Sequence, residues 1–132
     1  MHEIKPKLSV DDIRLGCDIQ TLIANGYIEK VDAYDEITGW QTFTRDDAVE
    51  FYVKNNSVVC IACFGDCVIE GVYIIGQTPS ELIKGLGAPN EIGEAIWVSD
   101  DRQQVPYEYF SLGLQIWFES GKAVSVYCNE VY

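Results

Sequence analysis

The stretch Leu112–Cys128, LGLQIWFESGKAVSVYC, decides the reading of the fold, because the chain has already said much the same at Asp47–Cys63, DAVEFYVKNNSVVCIAC. Each copy is an apolar stretch, a two-residue polar turn and a second apolar stretch ending in Cys. Asn55-Asn56 and Ser120-Gly121 suit tight hairpin turns that need positive φ, which Asn and Gly tolerate best. This predicts Val53 opposite Val58 and Lys54 opposite Ser57, with Phe118 opposite Ala123 and Glu119 opposite Lys122. Regular alternation then places Val49, Phe51, Val53, Val58, Cys60 and Ala62 on one face, matched by Leu114, Ile116, Phe118, Ala123, Ser125 and Tyr127. The other face carries Tyr52, Val59, Ile61 and Cys63, matched by Trp117, Val124, Val126 and Cys128. A longer loop with a bulge would shift one strand by a residue. Both faces are more apolar than a half-solvated antiparallel sheet requires. Helices are expected to cover one face, and the other is either covered or left for a partner.

The repetition extends upstream. Arg14–Tyr27, RLGCDIQTLIANGY, parallels Ile74–Gly87, IIGQTPSELIKGLG. In the second, Thr78 is a good N-cap, Pro79 suits the first helical position and Glu81 completes a capping box. Leu82, Ile83 and Leu86 make an apolar stripe and Gly87 ends it. In the first, Asp18 caps, Ile19, Leu22 and Ile23 form the stripe and Gly26 stops it. Between helix and hairpin each half has room for two more strands, roughly Tyr27–Tyr34 and Trp40–Thr44, then Ala95–Ser99 and Val105–Phe110. The expected fold is α+β: tandem helix-plus-β-meander repeats, with two short helices packed on a twisted, largely antiparallel sheet. The expected domain is single, residues 1–132, made of pseudo-repeats at about 12–66 and 72–130. Doubling supplies a shared core that one half is too small to bury.

The phrase IIGQTPSELIKGLGAPNEIG, followed by the meander ending LGLQIWFESGKAVSVYC, resembles the helix-plus-meander repeat of β-lactamase-inhibitory protein and of small outer-membrane assembly lipoproteins. That resemblance implies a scaffold and carries no activity. No counterpart of the export signal or lipidated Cys of those groups is read in this sequence, so a secreted or envelope role is not the expectation. In size, charge and style it also resembles the small acidic immunity proteins of bacterial toxin–immunity systems, including contact-dependent growth inhibition.

The charge balance is 9 basic to 21 acidic side chains, a net of -12. Residues 1–65 carry 6 basic and 11 acidic groups and the remainder 3 and 10, so the acidity is global. Such a surface repels nucleic acid and anionic membranes and attracts basic partners, although solubility alone also accounts for it. The start, MHEIKPKLSVDDIRLG, shows no apolar signal region, and no apolar run is long enough to span a bilayer. Five cysteines, an odd number, then suggest reduced thiols. Cytoplasmic residence is the expectation.

Chemistry is hard to find. The single histidine, His2, sits at a terminus expected to be mobile and is a poor general base there. Cys60-x-x-Cys63 lies in a strand pattern, where residues three apart point to opposite faces and cannot share a metal. A structural zinc site needs four ligands. Gly85-x-Gly87 follows a helix instead of opening one, which makes it an exit turn and not a phosphate loop. The carboxylates match no calcium loop. No catalytic residue, metal or cofactor is therefore expected.

What remains is an acidic rim with aromatic anchors. Asp32, Asp35 and Glu36 fall near the first strand turn, Asp46 and Asp47 near the next, and Asp100 and Asp101 in the matching turn of the second half. Trp40, Trp117, Tyr52, Tyr107 and Tyr109 are interleaved with them; aromatics inside a charged rim are what a tight protein interface uses. The expected function is a non-enzymatic immunity or inhibitor protein that binds a basic toxin encoded by a neighbouring gene, a nuclease being one such toxin, and masks its active site. The alternative is an accessory module whose sheet face holds a peptide, a small ligand or a second copy of itself as a homodimer.

Overall fold

Both tight turns form at the expected places. Asn55 and Asn56 have φ of 52° and 65°, and Ser120 and Gly121 have 52° and 79°. The pairings next to them, Val53 with Val58, Lys54 with Ser57, Phe118 with Ala123 and Glu119 with Lys122, are the predicted ones. The chain is seen here in a computed structural model that describes residues 1–129 except Tyr27, Glu29, Asp35, Thr38 and Asp47, with the side chains of residues 30–34 and of Asp46 also outside the description.

Immediately beyond each turn the strands depart from regular alternation. In β6 (Val49–Lys54) and β7 (Ser57–Cys63), Tyr52 pairs with Cys60 and Phe51 with Ile61, so Val59 is an extra residue. In β13 (Leu114–Glu119) and β14 (Lys122–Asn129), Trp117 pairs with Ser125 and Ile116 with Val126, so Val124 is the extra one. Each bulge flips the rest of its strand. The core face is Val49, Phe51, Val53, Val58, Ile61 and Cys63, with Leu114, Ile116, Phe118, Ala123, Val126 and Cys128. The opposite face carries Glu50, Tyr52, Cys60 and Ala62 with Gln115, Trp117, Ser125 and Tyr127. The regular alternation expected for β7 and β14 is corrected accordingly: Cys60, Ala62, Ser125 and Tyr127 change sides with Ile61, Cys63, Val126 and Cys128.

The cause is visible in the backbone. The N–H of Gly16 donates to the Val58 carbonyl and the N–H of Val58 to the Cys17 carbonyl (2.7 and 3.0 Å). In the second half Gly76 and Gln77 hold Ala123 in the same two-bond fashion (2.8 and 2.9 Å). The main-chain groups of Val58 and Ala123 thus belong to the loop ahead of each helix, and the ladder resumes one residue later.

A nine-stranded sheet results. β4 (Lys30–Tyr34) and β5 (Gln41–Asp46) continue outward from β6, and β12 (Arg102–Tyr109) continues outward from β13. β7 and β14 pair antiparallel at the centre, from Cys63 opposite Val126 to Cys60 opposite Asn129. Beyond β12 lie β10 (Glu91–Ile92) and β11 (Ile96–Ser99), both paired to it antiparallel.

The α+β expectation fails on the other layer. A second sheet of five strands is built from β1 (His2–Lys5), β2 (Ser9–Val10), β3 (Ile13–Arg14), β8 (Cys67–Ile69) and β9 (Val72–Tyr73), in the order β3-β2-β1-β8-β9. The protein is mostly β and two-sheeted. Its helices, α1 (Ile19–Ala24) and α2 (Pro79–Leu86), are minor components. Ile4, Val10, Ile13, Cys67 and Ile69 of the small sheet, and Ile19, Leu22 and Leu82 of the helices, join the core face of the large sheet in one cluster. The helices carry the expected caps: the Asp18 side chain accepts from Gln20 N–H, and Thr78 and Glu81 form a capping box. Ile23 and Ile83, expected in the buried stripes, are exposed, since helices this short bury a single row.

Free thiols give a direct check on this packing. Cys60, Cys63, Cys67 and Cys128 are buried and Cys17 is half-buried. Burial pushes the Cys67 thiol up to about 12 and the Cys128 thiol up to about 11, and raises Cys17 as well. Since the thiolate is the reactive form, a disulfide reagent should label Cys17 first in the native protein. The other four should react only as the chain opens, and Cys17→Ser should abolish the early phase.

Candidate interaction surface

The face of the large sheet turned away from the core is aromatic. Trp40 lies 5.5 Å from Tyr52, Tyr52 stacks on Tyr127 at 6.0 Å and Phe64 meets Tyr127 edge-on at 6.0 Å. The small residues Cys60, Ala62 and Ser125 are buried on this face. The Tyr52 hydroxyl donates to Glu50 at 2.7 Å; burial and that carboxylate raise its pKa, so the phenol stays protonated. On the β12–β13 side Trp117 Nε1 donates to Gln115 Oε1 (2.8 Å), and Gln115 Nε2 donates to Glu108 Oε1 (2.7 Å). This relay fixes the indole on the sheet.

At that side the sheet curls. The β11–β12 hairpin turns at Asp100-Asp101, and Ile96, Val98, Arg102 and Gln104 face Trp117, Ser125, Tyr127 and Phe64 across a groove of about 280 Å³. The hairpin is pinned by Arg102, whose guanidinium donates to both Glu119 oxygens (2.7–3.2 Å), with Gln104 Nε2 donating to Oε1 at 3.0 Å. The Arg102 and Gln104 hydrogen bonds hold the Glu119 carboxyl below its usual range. Trp97 points to the opposite side of the hairpin. There it lines a hollow of about 450 Å³ with Asp101, Gln103, Tyr107 and Phe118. Ile96 is 46%, Trp97 65% and Val98 43% exposed, the densest exposed apolar run among the described residues.

The expected site residues divide. Trp117 and Trp40 lie on the aromatic face, on opposite halves of the sheet. Tyr107 lines the Trp97 hollow, its ring 4.6 Å from Phe118. Asp100 and Asp101 are exposed in the hairpin turn, where Asp101 accepts from the Ser99 hydroxyl at 3.1 Å. Tyr109 is not available to a partner: it is 3% exposed and its hydroxyl donates to the Gly87 carbonyl at 3.0 Å, tying β12 to the end of α2. Glu36 is exposed in the turn after β4, in the half of the sheet away from β11. Asp32 and Asp46 lie on β4 and β5 with side chains outside the description, and Asp35 and Asp47 are outside the described residues altogether. Asp32, Glu36 and Asp46 thus belong to one end of the sheet and Asp100-Asp101 to the other. Ile96, Trp97 and Val98 are the surface residues that sequence reasoning missed, because AIWVS reads as an ordinary buried strand; its only local signal was the lack of a charge or proline to protect an edge.

The residues examined for chemistry are engaged elsewhere. His2 is not at a mobile end: it lies in β1, its N–H donates to the Asp66 carbonyl, and its ring Nδ1 is 2.7 Å from Asp11 Oδ2. Burial pushes the Asp11 carboxyl up, but the His2 hydrogen bond and the Glu3 N–H outweigh it and the pKa is lowered. Cys60 pairs with Tyr52 and Cys63 with Val49, so the two thiols face opposite sides of the sheet. Among the described residues no cluster of three metal-ligating side chains occurs, and no helix is long and apolar enough to cross a membrane.

No protein-family model matches the sequence, and no curated protein is significantly similar to it. Among solved structures, the fold is similar to that of an extracellular protein containing an SCP domain from Bacillus anthracis str. Ames, with a TM-score of 0.50 and 15% identity over 86% of this chain. The match covers 43% of that protein, so this chain spans less than half its length. The likeness is one of fold.

Proposed function

We propose that this is a non-enzymatic binding protein whose β11–β12 hairpin and neighbouring aromatic face engage a basic protein. The observation that carries the reading is the exposed Ile96-Trp97-Val98 run ending in Asp100-Asp101, on a chain of net charge -12. An apolar centre with an acidic rim supplies both contact area and electrostatic steering. The concrete form we favour is a cytoplasmic immunity or inhibitor protein that masks a basic toxin. Five free thiols suit a reducing compartment.

Affinity capture from the source cells, with elution across a salt gradient, tests it. A single basic protein eluting at raised salt is expected. Reversing Asp100 and Asp101 to Lys should slow its association by about tenfold or more at low salt and flatten the salt dependence. An unchanged association rate and salt slope, or a partner that is not basic, would overturn the reading.

A further inference from the structure

The edge of the sheet beside the groove carries no lysine, proline or inward charge. β11 has β12 as its only strand partner among the described residues, so the other side of its backbone is an open ladder. Natural edge strands are blunted by lysine, proline or an inward charge. β11 reads Ile-Trp-Val-Ser and carries none of these; its only interruption is a bulge at Val98, and all four residues are exposed. β10 precedes it on the same side of β12, so the edge runs interrupted from Glu91 to Ser99. From Gly85 to Asp101 the chain has no Lys or Arg but has Glu91, Glu94, Asp100 and Asp101. The edge is thus apolar at its centre and acidic at both ends.

We propose that β11 is a docking edge that takes up an extended, lysine- or arginine-bearing segment of the partner as an added strand. The inference rests on the reading above and gives it a geometry. The backbone of the incoming segment completes the β11 ladder. Its alternate side chains fall on the two sides of the sheet, one set beside Ile96 and Val98 and the other beside Trp97. Its cations meet the carboxylates at the ends. A second copy of this chain is the poorer occupant, because antiparallel pairing about Trp97-Val98 sets Asp101 of one copy opposite Glu94 of the other, at both ends of the pair, like charge on like charge.

The test uses the whole protein and a labelled peptide of alternating valine and lysine. Two further peptides carry the same sequence N-methylated on alternate residues, in one phase and in the other. The unmodified peptide should bind. Methylation in the phase that faces β11 should weaken it by about tenfold or more, and the other phase should not. Hydrogen exchange should slow on binding at those amides of residues 96–98 that point away from β12, and Trp97→Lys should abolish both effects. The inference is overturned if no peptide binds, if all three bind equally, or if the protein sediments as a dimer that Trp97→Lys dissociates. Should the partner captured from cells still be basic and sensitive to Asp100/Asp101 reversal, the proposed function survives that failure and only the strand geometry falls.

Discussion

Replacing Phe51 by Ala should remove about 3–5 kcal/mol of stability, a large share of what a domain of this size commands. Phe51 is fully buried at the middle of β6, where it pairs with Phe43 on one side and Ile61 on the other. Truncation deletes a ring from a site lined by two sheets, and strands fixed on both sides cannot collapse into the space. The neighbour is the control. Tyr52, one residue on, faces the aromatic surface and is only partly buried, so Tyr52→Ala should cost clearly less. Denaturant unfolding of both variants checks the difference. Equal losses would mean that the core does not lie on the Phe51 side of the sheet.

The second large effect is expected at Gly113. This residue ends the short 3-10 turn Phe110–Leu112 with φ of 63°, and its carbonyl accepts from Asn129 N–H at 2.7 Å. A Cβ there would collide with the carbonyl oxygen of Asn129 and press on the Lys7 side chain. Left-handed backbone costs a non-glycine residue about 1–2 kcal/mol, and the collision adds to it because the end of β14 at Asn129 has to move. Gly113→Ala should therefore lose about 3 kcal/mol or more. Gly121 also has positive φ, 79°, but a Cβ on it meets open space. Gly121→Ala should lose only the conformational part, about 1 kcal/mol. The gap between the two variants measures the collision, and identical melting shifts would contradict the packing at Gly113.

The two hairpins were legible because their information is local. Asn55-Asn56 and Ser120-Gly121 dictate a turn of fixed length, and a turn of fixed length dictates the adjacent pairs. The bulges at Val59 and Val124 were not legible, because they depend on bonds from Gly16, Cys17, Gly76 and Gln77, far away in the chain. One bulge suffices to exchange Cys60 and Ala62 for Ile61 and Cys63 on the core face. The second sheet was missed for another reason. Strands of two to four residues, such as Ser9-Val10 or Val72-Tyr73, are too short to show a period. Glu70-Gly71, with φ of 49° and 83°, was a readable turn signal between two of them. The pairing of β1 with β8 is parallel and joins His2 to Cys67, which no local pattern announces. As for the surface, charge and aromatic content pointed toward an interface, but only the fold separates Tyr109, which is core, from Trp97, which is not.

The central pairing of β7 with β14 has a consequence in time. Each hairpin closes over two residues, and such closures take microseconds. The seam between the two meanders cannot form until Cys60–Cys63 and Val126–Asn129 meet, and the intervening chain must give up its freedom before any of those bonds rewards it. The encounter that closes the seam is therefore expected to be slower than the closure of either hairpin. Until that encounter both β7 and β14 are bare edges, so a nascent chain is most exposed to mispairing during the interval between completing Cys63 and completing Asn129.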